Sequence, residues 1–371
     1  MLFSVIAFAL LVITNINSLK HIPSVSNAVF VLLVFWSVCI VVRSFTFQIQ
    51  DWVTNFGNVY MALAWFTPAL IVVGQKVENW QVLFQVIFFM LKIMLVSMFF
   101  LPFYVGDKLP TEWTWLIRSI NFLIIIGIKR FRFQEKALLI ASFFVYILIA
   151  IETQQRIEFV YLFIVFLFVF VDKLKPAIVK QGFFKTLIFS FLIVVLLIFT
   201  YGYENINILV NTVVEFKDTR TFLFKELMTE LNGTEKIFGR GSLGMYHSDY
   251  FERTIEYYKM IGAKNWMADD PDRITIEVGY LQMILKGGFL LFFLQFFMMF
   301  YSVYLALFKS RNKFSRRLGI FVLIISVLSI ISFRPAFTPT FIILWISIGT
   351  ILNRRNRNLE DQEIEKLISI Y

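Results

Sequence analysis

Apolar and polar residues follow one another in long blocks along this chain. Runs such as TLIFSFLIVVLLIFTY and RLGIFVLIISVLSIISF lack the alternation of a strand, and about 20 apolar residues are enough to cross the hydrocarbon core of a bilayer. Because lipid offers no partner to backbone polar groups, each run is predicted to form a spanning helix. The pattern predicts eleven spans, at residues 2–19, 25–43, 59–75, 81–101, 113–128, 137–151, 157–171, 186–202, 284–308, 318–333 and 336–352.

One long polar interval, residues 203–283, interrupts these runs. It separates a first block of eight predicted spans (1–202) from a second block of three (284–352), and a polar tail (353–371) follows. The predicted fold class is therefore an all-α polytopic membrane protein with one large loop. The loop itself is expected to contain short helices.

Capping residues predict where those short helices begin and end. Asp218 is a good N-cap for a first helix, and Asn232-Gly233 is a common signal for a helix end. A second helix is predicted to begin at Ser248 or Asp249.

Two further elements are predicted in the C-terminal part of the chain. The apolar run from residue 277 to residue 308 is too long for one straight crossing, and the pair Gly287-Gly288 is the expected break, because glycine weakens a helix interior. The tail is expected to contain a short amphipathic helix.

Composition supports the membrane class. The chain is 59% hydrophobic and 16% charged, whereas soluble domains carry about 25% charged residues. A net charge of +10 is also typical of nucleic-acid-binding proteins, but here the cations lie in short loops between spans, so no nucleic-acid partner is predicted. The single cysteine, Cys39, excludes a disulfide within the chain.

Lysine and arginine are concentrated in alternate predicted loops, which indicates the orientation. One set of loops, with the tail, carries 19 of them, and the opposite short loops carry only Arg43, Lys108, Arg156 and Arg334. The positive-inside rule places the richer set in the cytoplasm. The N-terminus and the large loop are then predicted outside, and the C-terminus inside.

Arginines on the predicted outer side are the first candidates for chemistry. Arg156 lies in the short loop ETQQRIEF, and Arg220 begins the first helix of the large loop. A guanidinium binds phosphate or diphosphate through parallel N–H donors, although an interfacial arginine also serves as a simple headgroup anchor. Arg118, within two turns of the outer end of its span, is predicted to extend to water in that way.

The turn GRGSLG is a second candidate. It places Arg240 between Gly239 and Gly241, and glycine lets backbone N–H groups approach an anion closely. Its spacing differs from that of Walker and dinucleotide-binding loops, so a plain turn is the alternative interpretation.

Acidic residues at the end of the large loop are candidates for a general base. Glu277 precedes an apolar helix, where partial desolvation would strengthen it as a base, but a carboxylate at a helix start is also simply stabilising. The adjacent Asp269 and Asp270 either bind a cation or form a solvated turn. His247 is one of only two histidines. The cysteine and histidine spacing of a zinc site is missing, so no metal is predicted.

Three segments resemble the O-antigen polymerase and O-antigen ligase superfamily of bacterial envelope polysaccharide assembly. In ETQQRIEF, Gln155-Arg156 stands where that family has Ser-Arg between two spans. In the large loop, Arg220 is followed by a helix and FGRGSLG, similar to the arginine and Gly-x-Gly turn of the family. EVGYLQMILKGGFLLFF is similar to the stretch after its large loop, with Glu277-Val278 in place of the His-Asn of ligases.

The resemblance implies a GT-C-like, metal-independent glycosyltransferase that needs no cofactor. It would transfer a growing glycan from undecaprenyl diphosphate to the next lipid-linked repeat unit in the bacterial cytoplasmic membrane. Arg156 and Arg220 would bind the diphosphates, and Glu277 would act as base or acceptor-positioning group. The remaining contacts implied for the substrate are Gly239, Gly241, Arg240, Arg273, Asp270 and His247.

Three alternatives stay open from the sequence. A ligase would attach the glycan to another acceptor, and the missing His-Asn pair disfavours it. A polysaccharide transporter or flippase would need several charged spans and short loops throughout, and a scaffold protein would not need outer arginines. The implied partners of a polymerase are the lipid-linked oligosaccharide, the bilayer, a chain-length regulator and a flippase.

Overall fold

The computed structural model describes residues 2–16, 22–100, 112–127, 131–152, 156–173, 219–260 and 271–369. The N-terminal helices are α1 Leu2–Asn15, α2 Ser24–Val42, α3 Ile49–Gly57, α4 Ala62–Phe66, α5 Ile71–Gly74, α6 Asn79–Phe100, α7 Glu112–Ile117, α8 Ser119–Ile126, α9 Phe133–Glu152 and α10 Arg156–Lys173. The later helices are α11 Thr219–Glu230, α12 Gly233–Phe238, α13 Asp249–Met260, α14 Gly279–Lys309, α15 Lys313–Ile331, α16 Pro339–Leu352, α17 Arg354–Asn358 and α18 Asp361–Ile368. A 3-10 helix, Thr67–Leu70, joins α4 to α5, and the short strands β1 Tyr246–His247 and β2 Asp272–Arg273 pair.

Several of these helices have the length and apolar character of membrane spans. Among the described residues α2, α6, α9, α14 and α15 meet both requirements, and α3 with the segment 62–74 forms a sixth span if the two, bent by 50°, count together. The described part of the chain is thus mostly helical and compatible with the helical membrane class that the sequence predicts. The predicted spans at 2–19, 113–128, 157–171 and 336–352 coincide with shorter apolar helices. The span at 186–202 lies outside the described residues, so the number eleven stays a prediction.

The chain divides into two compact units. The first comprises residues 1–162, 231–246 and 273–371, and the second comprises 163–230 and 247–272. The polar interval predicted as one large loop thus contributes residues to both units.

The capping signals are confirmed in part. Helix α11 begins at Thr219, next to the predicted start, and α13 begins at Asp249. The helix end signalled by Asn232-Gly233 is confirmed, because α11 ends at Glu230. Asn232 is also the N-cap of α12, which the sequence did not predict, because its side chain accepts a hydrogen bond of 2.9 Å from the backbone N–H of Glu235.

In the first unit, α16 packs closely on α5 because glycines face both backbones. A Cβ at Gly349 would overlap the carbonyl oxygen of Ile71, and one at Gly74 would overlap the carbonyl oxygen of Ile346. The Thr350 hydroxyl donates to the carbonyl oxygen of Gly74 at 2.8 Å. Small residues at such crossings let helix backbones approach each other.

The predicted break in the long apolar run is confirmed. Gly288 lies inside α14 with φ 70°, a left-handed value that separates two helical segments. The amphipathic helix predicted in the tail is also confirmed, as α18.

Candidate functional site

The GRGSLG turn, residues 239–244, packs against the break of α14. Gly239 and Gly241 adopt φ values of 68° and 85°, which other residues rarely adopt. The backbone N–H groups of Arg240 and Gly241 donate to two consecutive carbonyl oxygens of α14 at 2.7 and 2.9 Å. A Cβ at Gly239 would overlap the α14 backbone. Gly239 is therefore needed for close approach of the two segments, and Gly241 is needed for its backbone angle.

The anion-binding role predicted for this turn is not what its geometry provides. Each backbone N–H from Gly239 to Gly244 donates to an acceptor within the protein, at distances of 2.7 to 3.0 Å. No backbone donor of the turn is therefore left for an external phosphate. Gly239 and Gly241 serve the docking of the turn, and the sequence could not distinguish these two uses of glycine.

A buried lysine of α14 fixes the same turn through its side chain. The Nζ of Lys286, whose side chain is fully buried, donates to the carbonyl oxygens of Ser242 and Gly244 at 2.7 and 2.8 Å. Sequence reasoning missed this residue. Its only signal is a cation inside the apolar run MILKGGF.

Arg240 is held beside the turn by Glu235. The Arg240 Nε lies 3.2 Å from Glu235 Oε1, and Arg240 Nη1 donates to the carbonyl oxygen of Met245 at 2.7 Å. The hydrogen bond from Arg240 holds the pKa of the Glu235 carboxyl below its usual range. A cavity of about 420 Å³ adjoins this pair and is lined by Trp36, Arg43, Thr234, Glu235, Phe238 and Gly239.

The lowered pKa of Glu235 predicts a small pH dependence of stability. A carboxyl whose pKa is depressed by folding stabilises the fold above its unfolded pKa, about 4.5, and this contribution is lost as the pH falls through the folded pKa. We expect Arg240→Gln to reduce this acid-range contribution by less than about 1 kcal/mol, since the pair is partly exposed. Thermal unfolding between about pH 7 and pH 2 would measure it, because the contribution is lost only below the unfolded pKa. An unchanged pH profile in the variant would contradict the assignment.

A second cluster in the first unit centres on a buried carboxylate. Glu158, in the first turn of α10, forms a salt bridge with Arg118, whose Nε donates to Oε1 at 2.8 Å. The Tyr146 hydroxyl donates to the other carboxylate oxygen and accepts a hydrogen bond of 3.1 Å from Asn121 Nδ2. The Glu158 side chain is 1% exposed and that of Arg118 is 20% exposed. Arg118 is therefore ion-paired, and the interpretation of a simple anchor that extends to water is wrong.

Phe333 joins this cluster to the start of α14. The Arg118 Cζ lies 4.5 Å from the centroid of the Phe333 ring, and the Tyr161 ring packs edge-on against it at 5.5 Å. A Cβ at Gly279, the first residue of α14, would overlap the carbonyl oxygen of Phe333. Arg334, the residue after Phe333, places its Cζ 3.6 Å from the Tyr60 ring centroid. We call Arg118, Glu158, Phe333 and Arg334 the Phe333 cluster.

Two of the predicted catalytic residues lie on segments that reach this cluster. Arg156 is the first residue of α10, two positions before Glu158. Glu277 comes two positions before Gly279. Its side chain is exposed, so the protein itself does not provide the partial desolvation expected from the sequence.

The other predicted residues lie elsewhere or outside the described part. Arg220 belongs to α11 in the second unit, and His247 belongs to the second unit as well. Arg273 is half-buried in β2. Asp270 lies outside the described residues.

Buried polar atoms near the cluster lack partners. Among the residues described by the structure, the Tyr161 hydroxyl, Asn121 Oδ1 and Gln282 Nε2 are buried without a hydrogen bond. Gln282 Oε1, in contrast, accepts from the backbone N–H of Ile276 at 2.7 Å. An unpaired buried polar group costs about 1–3 kcal/mol. Neither Glu158 nor Tyr161 was singled out from the sequence.

Comparison with known proteins gives this chain no family. No family model, curated protein or solved structure matches it. The resemblance to envelope polysaccharide polymerases therefore stays a prediction from three short motifs.

Proposed function

We propose that this chain is a membrane-embedded glycosyltransferase that polymerises an envelope polysaccharide. It transfers a growing glycan from undecaprenyl diphosphate to the next lipid-linked repeat unit, on the outer face of a bacterial cytoplasmic membrane. The proposal includes eleven spans, an outer N-terminus, a cytoplasmic C-terminus and residues 203–283 as the extracytoplasmic loop.

The observation that supports it best is the convergence of predicted outer positions around Phe333. Arg118 contacts the Phe333 ring, and Arg334 follows Phe333 in sequence. The helix that begins at Arg156 and the helix that begins after Glu277 both pack at the Phe333 cluster. Positive-inside analysis puts these four positions at the outer end of the spans. Polymerisation needs cations and a carboxylate at that level of the membrane, where lipid-linked substrates arrive.

The chemistry of the transfer explains why fixed arginines are useful. The acceptor hydroxyl loses its proton to Glu277 as its oxygen bonds to the sugar C1, and the C1–O bond to diphosphate breaks. The electron pair of that bond leaves with undecaprenyl diphosphate. Donors fixed in advance where this charge develops stabilise the transition state. Glu158 and Phe333 hold Arg118, and the Tyr60 ring holds Arg334.

In the proposed mechanism, four arginines bind the diphosphate. Arg118, Arg156 and Arg334 bind the diphosphate at the Phe333 cluster. Arg220, on α11, is assigned a diphosphate contact by the motif alone. The exposed position of Glu277 leaves its carboxylate accessible to an incoming acceptor sugar.

Substitution of the arginines tests the proposal. In a host strain that lacks the gene, Arg156→Ala, Arg220→Ala and Arg334→Ala should each reduce chain extension at least about 100-fold, the loss typical of one transition-state donor. Single lipid-linked repeat units should accumulate, as measured by gel and mass analysis of extracted glycolipids. Immunoblotting of membranes checks that each variant is inserted at wild-type abundance.

Arg253→Ala is the matched control, because Arg253 is an exposed arginine on α13. It should support chains of normal length. Normal chains in the Arg156 and Arg334 variants would remove the Phe333 cluster from the mechanism. Loss of complete glycans without accumulation of single repeats would contradict a polymerase.

A further inference from the structure

His247 faces three carboxylates in the second unit. Its Nε2 lies 3.8 Å from Asp249 Oδ1 and 3.5 Å from Glu252 Oε2, and its Nδ1 lies 3.0 Å from Asp272 Oδ1. One ligand atom each from His247, Asp249 and Glu252 falls within 4.8 Å of the others. The two ring nitrogens thus face different groups.

The contact with Asp272 selects the tautomer of the imidazole. A carboxylate is an acceptor, so Nδ1 carries the proton in the neutral ring and donates it to Asp272. The lone pair of Nε2 then points toward Asp249 and Glu252. In metal sites a histidine ligand almost always donates its second nitrogen to a carboxylate, carbonyl or water in this way.

Hydrogen bonds hold the three segments in place. The His247 backbone N–H donates to Glu230 Oε2 at 2.7 Å, and β1 pairs with β2, which carries Asp272. The start of α13 is fixed on α11, because Glu226 accepts from the Ser248 hydroxyl and the Tyr250 N–H at 2.9 Å each. The imidazole and carboxylates are therefore brought together before any cation binds.

We propose that His247, Asp249 and Glu252 bind a divalent transition-metal cation of the zinc class, with Asp272 as the positioning residue. Zinc lies about 2.0–2.2 Å from nitrogen and oxygen ligands, so neighbouring ligands of a tetrahedral site are about 3.4 Å apart. The two distances from His247 Nε2, 3.5 and 3.8 Å, need only a small contraction, and the whole set of ligand atoms, which lie within 4.8 Å of one another, closes further by rotation of the exposed carboxylates. Calcium and magnesium prefer all-oxygen sites, so the imidazole selects against them.

Three protein ligands leave a fourth position open to water or to an oxygen of an external ligand. The site connects the strand pair to the start of α13. It does not depend on the proposed glycan transfer, which uses no metal, so either proposal can fail without the other. The sequence did not predict this site because its ligands lack the spacing of known zinc motifs.

The composition makes the site easy to test. The chain has two histidines and one cysteine, so His21 and His247 are its only imidazole ligands. Full-length protein without a polyhistidine tag, purified in detergent and treated with chelator, is titrated with Zn²⁺ in a calorimeter. Since the hydrogen bond with Asp272 raises the pKa of His247, the titration is done at about pH 8, above the ordinary imidazole pKa.

One equivalent of zinc is expected to bind wild-type protein, with one imidazole and oxygen ligands in its X-ray absorption spectrum. His247→Ala and Glu252→Gln should abolish this binding, and Asp272→Asn should weaken it about 10–100-fold. Glu256→Gln is the matched control, an exposed glutamate one turn further along α13, and should bind like wild type. The substituted side chains are exposed or half-exposed, and circular dichroism verifies that the variants remain folded.

Two results would overturn the proposal. Wild-type protein that binds no zinc would show that His247 and the carboxylates form only surface ion pairs. Equal binding by wild type and His247→Ala would place the cation elsewhere.

Discussion

Arg118→Ala is expected to lower the free energy of unfolding by about 3–5 kcal/mol, the cost of leaving one partner of a buried ion pair alone. The Glu158 carboxylate is 1% exposed, so water cannot replace the lost guanidinium. Tyr146 would still donate to it, but a neutral hydroxyl compensates a charge only in part. Reversible unfolding in mixed detergent micelles, followed by tryptophan fluorescence, measures the change.

A paired variant separates stability from function. Arg118→Met with Glu158→Gln removes both charges but keeps an acceptor for the Tyr146 hydroxyl, and neutral replacement of a buried pair is often close to neutral in stability. We therefore expect the double variant to recover most of the lost stability. It should still fail to extend glycan chains, because the guanidinium proposed to bind diphosphate is missing.

Either half of this expectation can fail separately. A double variant as unstable as Arg118→Ala would show that the uncompensated carboxylate is not the cause of the loss. A stable double variant with chains of normal length would exclude Arg118 from the transfer site.

Gly288→Ala is expected to destabilise the fold by about 3 kcal/mol. A positive φ with an extended ψ costs a residue with a Cβ about 1–3 kcal/mol, and overpacking adds about 1–3 kcal/mol. At Gly288 φ is 70°, and the new Cβ would overlap the carbonyl oxygen of Ile237. The contact of α12 with the break in α14 would have to open, which would also release the turn around Lys286.

Gly233→Ala is the control for this effect. Gly233 begins α12, and a Cβ there has no heavy atom within 4 Å. Alanine at such a position is expected to be neutral or to stabilise by about 0.4–1 kcal/mol. Thermal unfolding of both variants in detergent provides the comparison. Equal stability of the two variants would mean that the break does not require glycine.

Local chemistry explains which elements the sequence predicts well. The break at Gly288 follows from a glycine pair inside an apolar run, and the starts of α11 and α13 follow from capping residues near Thr219 and Asp249. Asn232 shows the limit of such signals. The same residue type can follow one helix or cap the next, and only the hydrogen bond with Glu235 distinguishes them.

The candidate functional residues show the same difference between local features, which the sequence predicts, and long-range pairings, which it does not. The sequence places Arg156 in the short loop before a span and Glu277 before an apolar helix. In the structure Arg156 is the first residue of α10, and Glu277 lies two positions before α14. It gives no sign that Arg118 pairs with Glu158, because 40 positions separate them and no periodicity connects them. The turn around Gly239 has an anion-binding pattern, yet its N–H groups are used by the protein itself.

The sequence by itself determined the helical membrane class, because long apolar runs in lipid have no other way to satisfy their backbone hydrogen bonds. It also determined the helix break, because glycine acts on its own backbone. Only the tertiary structure decided which charges are neutralised and which remain available. Burial and pairing depend on residues far apart in the chain, as Arg118 with Glu158, Lys286 with the glycine turn, and His247 with Asp272 demonstrate.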